Sequence, residues 1–166
     1  MRAAVSCLLV LPLLVAAPPA GRAQSDAAHA PVVGDVIPDM DAQNIDGSMR
    51  RISFGKADAK GPDTVLLFFL SSCPTCHRMI PEWNRAYERR PKDLQVVGLV
   101  MDQEPLGFWD TIKVLFPVVR APQRSVLQQL KIQRAPLTLR VGPGGKVKDV
   151  ALGIVDPIKL GEIFRP

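Results

Sequence analysis

Cysteine is scarce in this sequence of 166 residues: Cys7, Cys73 and Cys76 are all there is. Cys7 falls in an N-terminal leader, so two remain, three positions apart. A structural cross-link closes a long loop to be worth forming, and a pair this close constrains almost nothing. A disulfide-stapled scaffold is thereby excluded, and redox chemistry or cofactor attachment is left. No repeat with a period of roughly 20–50 residues is present, which excludes a solenoid or a propeller. No glycine-rich loop follows a strand-like run to cradle phosphate. No spaced pair of carboxylates suggests a glycosidase or metal-assisted hydrolysis. Basic residues exceed acidic ones only mildly, 21 against 16. The pairs Arg50-Arg51 and Arg89-Arg90 lack any nucleic-acid motif around them and read as solvated surface.

What is present fits one soluble domain. The chain is 47% hydrophobic and 22% charged, too apolar for disorder and too short for two full domains. Residues 1–23 read as a secretory signal peptide: Arg2 is the positive end, 7–17 the apolar stretch, and Gly21-Arg22-Ala23 the small-x-small site before Gln24. The apolar stretch is short and carries Pro12, so a retained membrane anchor is the weaker alternative. Residues 24–31 are expected to form a flexible lead, and 32–166 the folded domain.

Within that domain, 32–59 suggests an N-terminal β-hairpin turning at Asp46-Gly47. Residues 64–70, apolar almost throughout, suit a central strand covered on both faces. A helix is predicted over 74–89, with Pro74 in its first turn and a kink at Pro81. A second buried strand spans 95–101. A helix follows over 105–115, starting near Asp102 or Glu104, and 116–119 is a short extended segment. A helix over 125–130 takes Ser125 as its N-cap. Strands 137–141 and 146–152 flank a tight turn at 142–145. Asp156 and Pro157 open a last helix to 164 as N-cap and first helical residue. This order implies an α/β, three-layer fold with a central mixed sheet and helices on both faces.

The chemistry centres on Cys73-Pro74-Thr75-Cys76-His77, where a buried strand gives way to a helix. Free N–H groups and partial positive charge at a helix N-terminus stabilise a thiolate. Cys73 is therefore expected to be the exposed attacking sulfur. Cys76, one turn inward, is the resolving thiol. His77 stands four residues after Cys73 on the same helix face. A protonated imidazole there would support the Cys73 thiolate; the alternative is a solvent-facing histidine without a role.

At these residues the chain resembles the thioredoxin-like superfamily and, within it, the TlpA/ResA-type periplasmic thiol:disulfide oxidoreductases, over about residues 33–164. Gly34-Asp35-Val36-Ile37-Pro38-Asp39 with Asp46-Gly47 is similar to that group's N-terminal hairpin, and 64–70 to its strand before C-x-x-C. Phe116-Pro117-Val118-Val119 is similar to its FPVV segment, and 141–147 to the hairpin near its end. Ala135-Pro136-Leu137-Thr138 falls where the family has a cis-proline loop facing the disulfide. The resemblance implies that the Ala135 backbone pairs with an extended substrate segment beside Cys73. The alternative is an ordinary trans Pro136 starting a strand.

Two positions depart from the family. Ser72 stands where many members have Trp, and Met79 stands where ResA-like members have an acid. Glu82, one turn further on, is not assigned the acid's role.

Three other chemistries share the motif. C-x-x-C-H is also a c-type haem attachment pattern, with His77 as axial ligand and Met40, Met49, Met79 or Met101 as candidates opposite. Copper or zinc binding by Cys73, Cys76 and His77 is weaker, because the only other histidine is His29. A peroxidase reading has no specific support. The expectation is an exported, periplasmic, monomeric thiol:disulfide oxidoreductase with no cofactor beyond the Cys73–Cys76 pair and no bound metal. Its partners would be disulfide-containing periplasmic proteins and a membrane or periplasmic thiol donor, with no nucleic acid. The resemblance favours the reducing direction and substrates of cytochrome c maturation. The Pro74-Thr75 spacer does not fix a potential, so a disulfide-donating role stays open.

Overall fold

The computed structural model describes residues 30–58 and 60–165. The expected signal peptide 1–23 and the expected flexible lead up to residue 29 lie outside the described residues. Ala30 and Pro31, the end of that lead, are buried, and Ala30 joins the core. The last two residues of the expected lead are therefore packed.

Seven strands make one mixed sheet. Met40–Asn44 (β1) and Met49–Ile52 (β2) form a hairpin. Its turn closes where the Ser48 N–H donates to Asp46 Oδ1 at 2.9 Å, with Gly47 at φ 92°. Thr64–Phe69 (β3), Gln95–Val100 (β4) and Val118–Arg120 (β5) run parallel, β4 lying between the other two. Leu137–Val141 (β6) and Val147–Leu152 (β7) add antiparallel strands beyond β3. The order across the sheet is β2-β1-β5-β4-β3-β6-β7.

β3 is near the middle and buried at all six positions. Its side chains alternate between the two faces, as a pleated strand requires. Val65, Leu67 and Phe69 pack under Pro74–Arg89 (α1) and Pro157–Phe164 (α4), together with Phe108 of the single-turn helix Phe108–Thr111 (α2). Leu66 and Phe68 face the other way. There they meet Leu127 of Arg124–Gln129 (α3), with Ile37 and Phe54 from the N-terminal segment. The molecule is an α/β three-layer fold with helices on both faces of a mixed sheet.

α1 begins and ends where the sequence places it and runs unbroken through Pro81. Trp83 on its buried face donates its indole N–H to Thr138 Oγ1 at 3.0 Å, tying the helix to β6. Asp156 caps α4 through N–H bonds from Ile158 and Lys159.

Three expectations are corrected. The helix predicted over 105–115 shrinks to Phe108–Thr111. It starts at Gly107 in the left-handed region, φ 77°, with no side-chain cap, and Ile112 is already extended. The next residues are held by Asn84 of α1 instead, which donates to the Lys113 carbonyl at 2.8 Å and accepts from the Leu115 N–H at 2.9 Å. Ser125 is not an N-cap: α3 starts at Arg124 after Gln123, whose carbonyl accepts from Val126 and Leu127. The extended segment at 116–119 pairs as a strand two residues later, at 118–120.

Candidate active site

β3 ends at Phe69, and Leu70, Ser71 and Ser72 turn the chain into α1. Cys73 is the N-cap, with extended backbone (φ −94°, ψ 111°). Pro74 supplies the first helical residue, where its missing N–H costs nothing. The Cys76 N–H donates to Cys73 Sγ at 3.2 Å, so sulfur takes the place that serine or aspartate oxygen usually fills at a cap. The turn is closed by the Cys73 N–H on the Leu70 carbonyl at 3.2 Å.

Both sulfurs are free thiols here, and they differ in setting. Cys73 is half-buried, whereas Cys76 has no exposed surface. Burial pushes the Cys76 thiol up to about 12, with the neighbouring Cys73 and the charge of Asp102 acting in the same direction. Thr75 is half-buried and Pro74 exposed, so the motif's spacer borders solvent.

Ala135 and Pro136 immediately precede β6, which pairs with β3. The bond between them is cis. The Pro136 carbonyl accepts from the Gly153 N–H at 2.8 Å. Ala135 packs against the same apolar cluster as Cys73, so the loop and the cysteine pair share one end of the sheet.

His77 is engaged with the turn before Cys73. Its Nε2 lies 2.6 Å from the Ser71 carbonyl oxygen. A carbonyl only accepts, so Nε2 carries the proton in this contact. The ring sits against Phe108, 5.9 Å between centroids.

The sequence reading missed Asp102. Its carboxylate accepts from the Ser71 N–H (2.7 Å), the Ser71 hydroxyl (3.0 Å), the Ser72 N–H (3.1 Å) and the Ser72 hydroxyl (2.9 Å). Burial by itself would raise this carboxyl. The serine hydrogen bonds outweigh it and hold the group below the usual carboxylate range. Its position was the available signal: it follows β4, the parallel neighbour of β3, and ligand sites gather at such carboxyl ends. Glu104 lies elsewhere, bonded by Arg120, whose Nε donates at 2.9 Å. Met79 is buried in the core, and Glu82 is ion-paired with Arg85.

This geometry does not fit the haem pattern. Thioether attachment needs both sulfurs at a haem edge and His77 facing iron. Cys76 is enclosed, and His77 is spent on Ser71. Among the described residues, no group of three or more His, Cys, Asp or Glu is placed to hold a metal ion. Among them, too, no helix is long and apolar enough to cross a membrane.

Comparison with known proteins locates the arrangement. A family model described as Redoxin matches residues 32–160. The thiol-disulfide oxidoreductase ResA of Oceanobacillus iheyensis is 26% identical over 125 residues, 73% of this chain and 65% of that protein. The chain thus spans just under two-thirds of that relative. The sporulation thiol-disulfide oxidoreductase A of Bacillus subtilis is 26% identical over 110 residues, 62% of this chain and 67% of that protein. The crystal structure of StoA from Bacillus subtilis superposes with a TM-score of 0.62 at 20% identity, covering 78% of this chain and 98% of that one. At that identity the likeness is one of fold.

Proposed function

The chain belongs to the Redoxin family, and from that premise we propose that it is an exported thiol:disulfide oxidoreductase that reduces disulfides in periplasmic partner proteins. One observation carries the reading: within a single C-x-x-C turn, Cys73 borders solvent at an open helix N-terminus while Cys76 is enclosed directly behind it.

The Cys73 thiolate attacks one sulfur of a partner disulfide. A Cys73–partner bond forms, the partner's S–S bond breaks, and its second sulfur leaves as a thiolate that takes up a proton. Cys76 then gives up its proton and attacks Cys73 Sγ. The Cys73–Cys76 bond forms, the mixed disulfide breaks, and the partner's remaining sulfur leaves. The partner has gained two electrons and this protein has lost two. A membrane or periplasmic thiol donor returns them. No cofactor beyond the cysteine pair takes part.

The partner segment lies extended against the Ala135 backbone, beside Pro136, as a short added strand. Residues 32–166 act as one domain after removal of the signal peptide 1–23, and the protein works as a monomer. The TlpA/ResA resemblance extends the partners to cytochrome c maturation.

The test is the reduction potential of the Cys73–Cys76 pair, read by thiol labelling across a redox buffer series. A potential at or below about −250 mV, near thioredoxin's, is the expected result. A potential near about −120 mV would reverse the direction to disulfide donor. Sulfurs that cannot be titrated at all would sink the exchange mechanism.

A further inference from the structure

We propose that Asp102 is a positioning residue for this exchange: from the end of β4 it clamps the Ser71-Ser72 turn that aims Cys73, and it brings a carboxylate charge to bear on Cys76. The inference rests on the thiol-exchange reading and adds to it a residue from outside the motif.

The clamp is unusually complete for two residues of loop. Ser71 is buried, so its N–H and hydroxyl need partners, and Asp102 accepts from both. Its third polar group, the carbonyl, meets His77 Nε2. Ser72 is exposed, yet its N–H and hydroxyl also converge on Asp102 Oδ2. Leaving the buried donors without an acceptor would carry the full cost of their desolvation. The next residue is Cys73, whose sulfur is already engaged with the Cys76 N–H. The carboxylate therefore fixes the approach of the chain to the reactive cap.

The charge acts separately. Cys76 belongs to an apolar cluster that includes Leu67, Phe69 and Phe108. The titratable groups acting on it are Cys73, at its own helix end, and Asp102, from β4. His77 points at Ser71, and Met79 is a core residue. Asp102 does not serve as a proton acceptor, because four donors already occupy its two oxygens. Its contribution is placement and charge: burial is what chiefly disfavours a Cys76 thiolate, and the Asp102 carboxylate adds the smallest push in the same direction.

Reaction of the reduced protein with 5,5′-dithiobis(2-nitrobenzoate) separates the two effects. Attack by Cys73 releases one thionitrobenzoate, and attack by Cys76 on the resulting mixed disulfide releases a second. Asp102→Asn removes the charge and, because its amide nitrogen donates where a carboxylate oxygen accepted, loosens the clamp as well; its first release should slow as that of Ser72→Ala does, and the charge is read from the second. The expected result is a second release displaced by about half a pH unit to lower pH, about threefold faster at a given pH, since a tenfold change corresponds to one unit. Ser72→Ala keeps the charge and weakens the clamp. It is expected to slow the first release several-fold and leave the pH profile of the second in place. Loss of packing alone would not move that profile in one variant and spare it in the other. Two releases from the parent protein, both unchanged in Asp102→Asn, would overturn this inference and leave the exchange reading standing. A single release from the parent would overturn the exchange reading and this inference with it.

Discussion

Two neighbouring strands in the middle of the sheet hand the chain to a helix in opposite ways. β3 passes through Leu70, Ser71 and Ser72 to a cap at Cys73, and α1 then runs for 16 residues. β4 passes into a loop that ends at a left-handed Gly107, and α2 lasts four residues. The first junction is made by its own residues: an apolar strand, a capping side chain and a proline at the first helical position. The second is made by partners far away in sequence. Asp102 reaches Ser71 and Ser72, Glu104 reaches Arg120, and Asn84 holds Lys113 and Leu115. The reactive sulfurs sit on the self-made junction, while the carboxylate that steadies them comes from the borrowed one. In a parallel sheet, adjacent strand ends share a small region of space, so a group on one can serve the other.

The contrast is broken most completely at the first junction. Cys73→Ser replaces an ionisable sulfur with a hydroxyl that stays protonated at neutral pH. Disulfide exchange should fall about 100-fold or more, in a turnover assay on a model disulfide. Retained exchange would show that Cys73 is not the nucleophile. The reciprocal Cys76→Ser should instead accumulate mixed disulfides on Cys73, visible as thiol-sensitive adducts by mass spectrometry.

Cys76 also sets a pH dependence. Burial raises its thiol from the ordinary 9.0 to about 12, so the folded state holds this proton more tightly than the unfolded chain does. That preference contributes stability which is fully present below pH 9 and is lost as pH rises towards 12. The reduced protein should lose stability over this window in denaturant titrations. The oxidised protein, which has no thiol at Cys76, should lack that component. Equal slopes for the two redox forms would place Cys76 in contact with water.

The second junction is sharpened by Gly98 of β4. A Cβ there would stand 2.7 Å from Phe116 Cε2 and 3.2 Å from Val118 Cγ2. The glycine is what leaves room for the Phe116 ring beside the strand. Gly98→Ala should therefore destabilise the fold by about 1–3 kcal/mol, the usual cost of overpacking. A shifted denaturation midpoint with both thiols still reactive would place the damage in packing beside β4. An unchanged midpoint would mean that the ring moves aside freely.

The same division explains what could be read from the residues alone. β3, α1 and α4 follow from short-range rules: an apolar run of strand length, a proline at N1, an aspartate at an N-cap. The cysteine pair was nameable because its position at a strand-to-helix break carries the chemistry. Pro136 was nameable by resemblance. α2 was overextended because nothing in 105–115 announces that Asn84, some thirty positions earlier, takes its backbone groups. Asp102 looked like a helix start for the same reason, and Ser72 stood out only as a departure from the family's Trp. His77 was expected either to support the Cys73 thiolate or to face solvent, and its Nε2 meets the Ser71 carbonyl instead. Its partner, a carbonyl six residues earlier, is set by a turn whose shape the sequence does not spell out.

The smallest effect belongs to Asn84, and it tests whether the two junctions are mechanically independent. Asn84 makes two hydrogen bonds to the segment after α2, at 2.8 and 2.9 Å, both near the surface. Water can replace them in the Asn84→Ala variant, so a loss of about 1 kcal/mol is expected. Phe108, further up the same segment, touches His77, and His77 holds Ser71. A loosened segment thus reaches Cys73 only indirectly, through this ring and the apolar cluster that it shares with the cysteines, whereas Asp102 acts on the turn directly. Asn84→Ala should leave both steps of the thionitrobenzoate assay within about twofold of the parent while lowering the denaturation midpoint slightly. A tenfold slower first release would mean that α2 and the cap move as one body, and the self-made junction would then depend on its neighbour for more than a carboxylate.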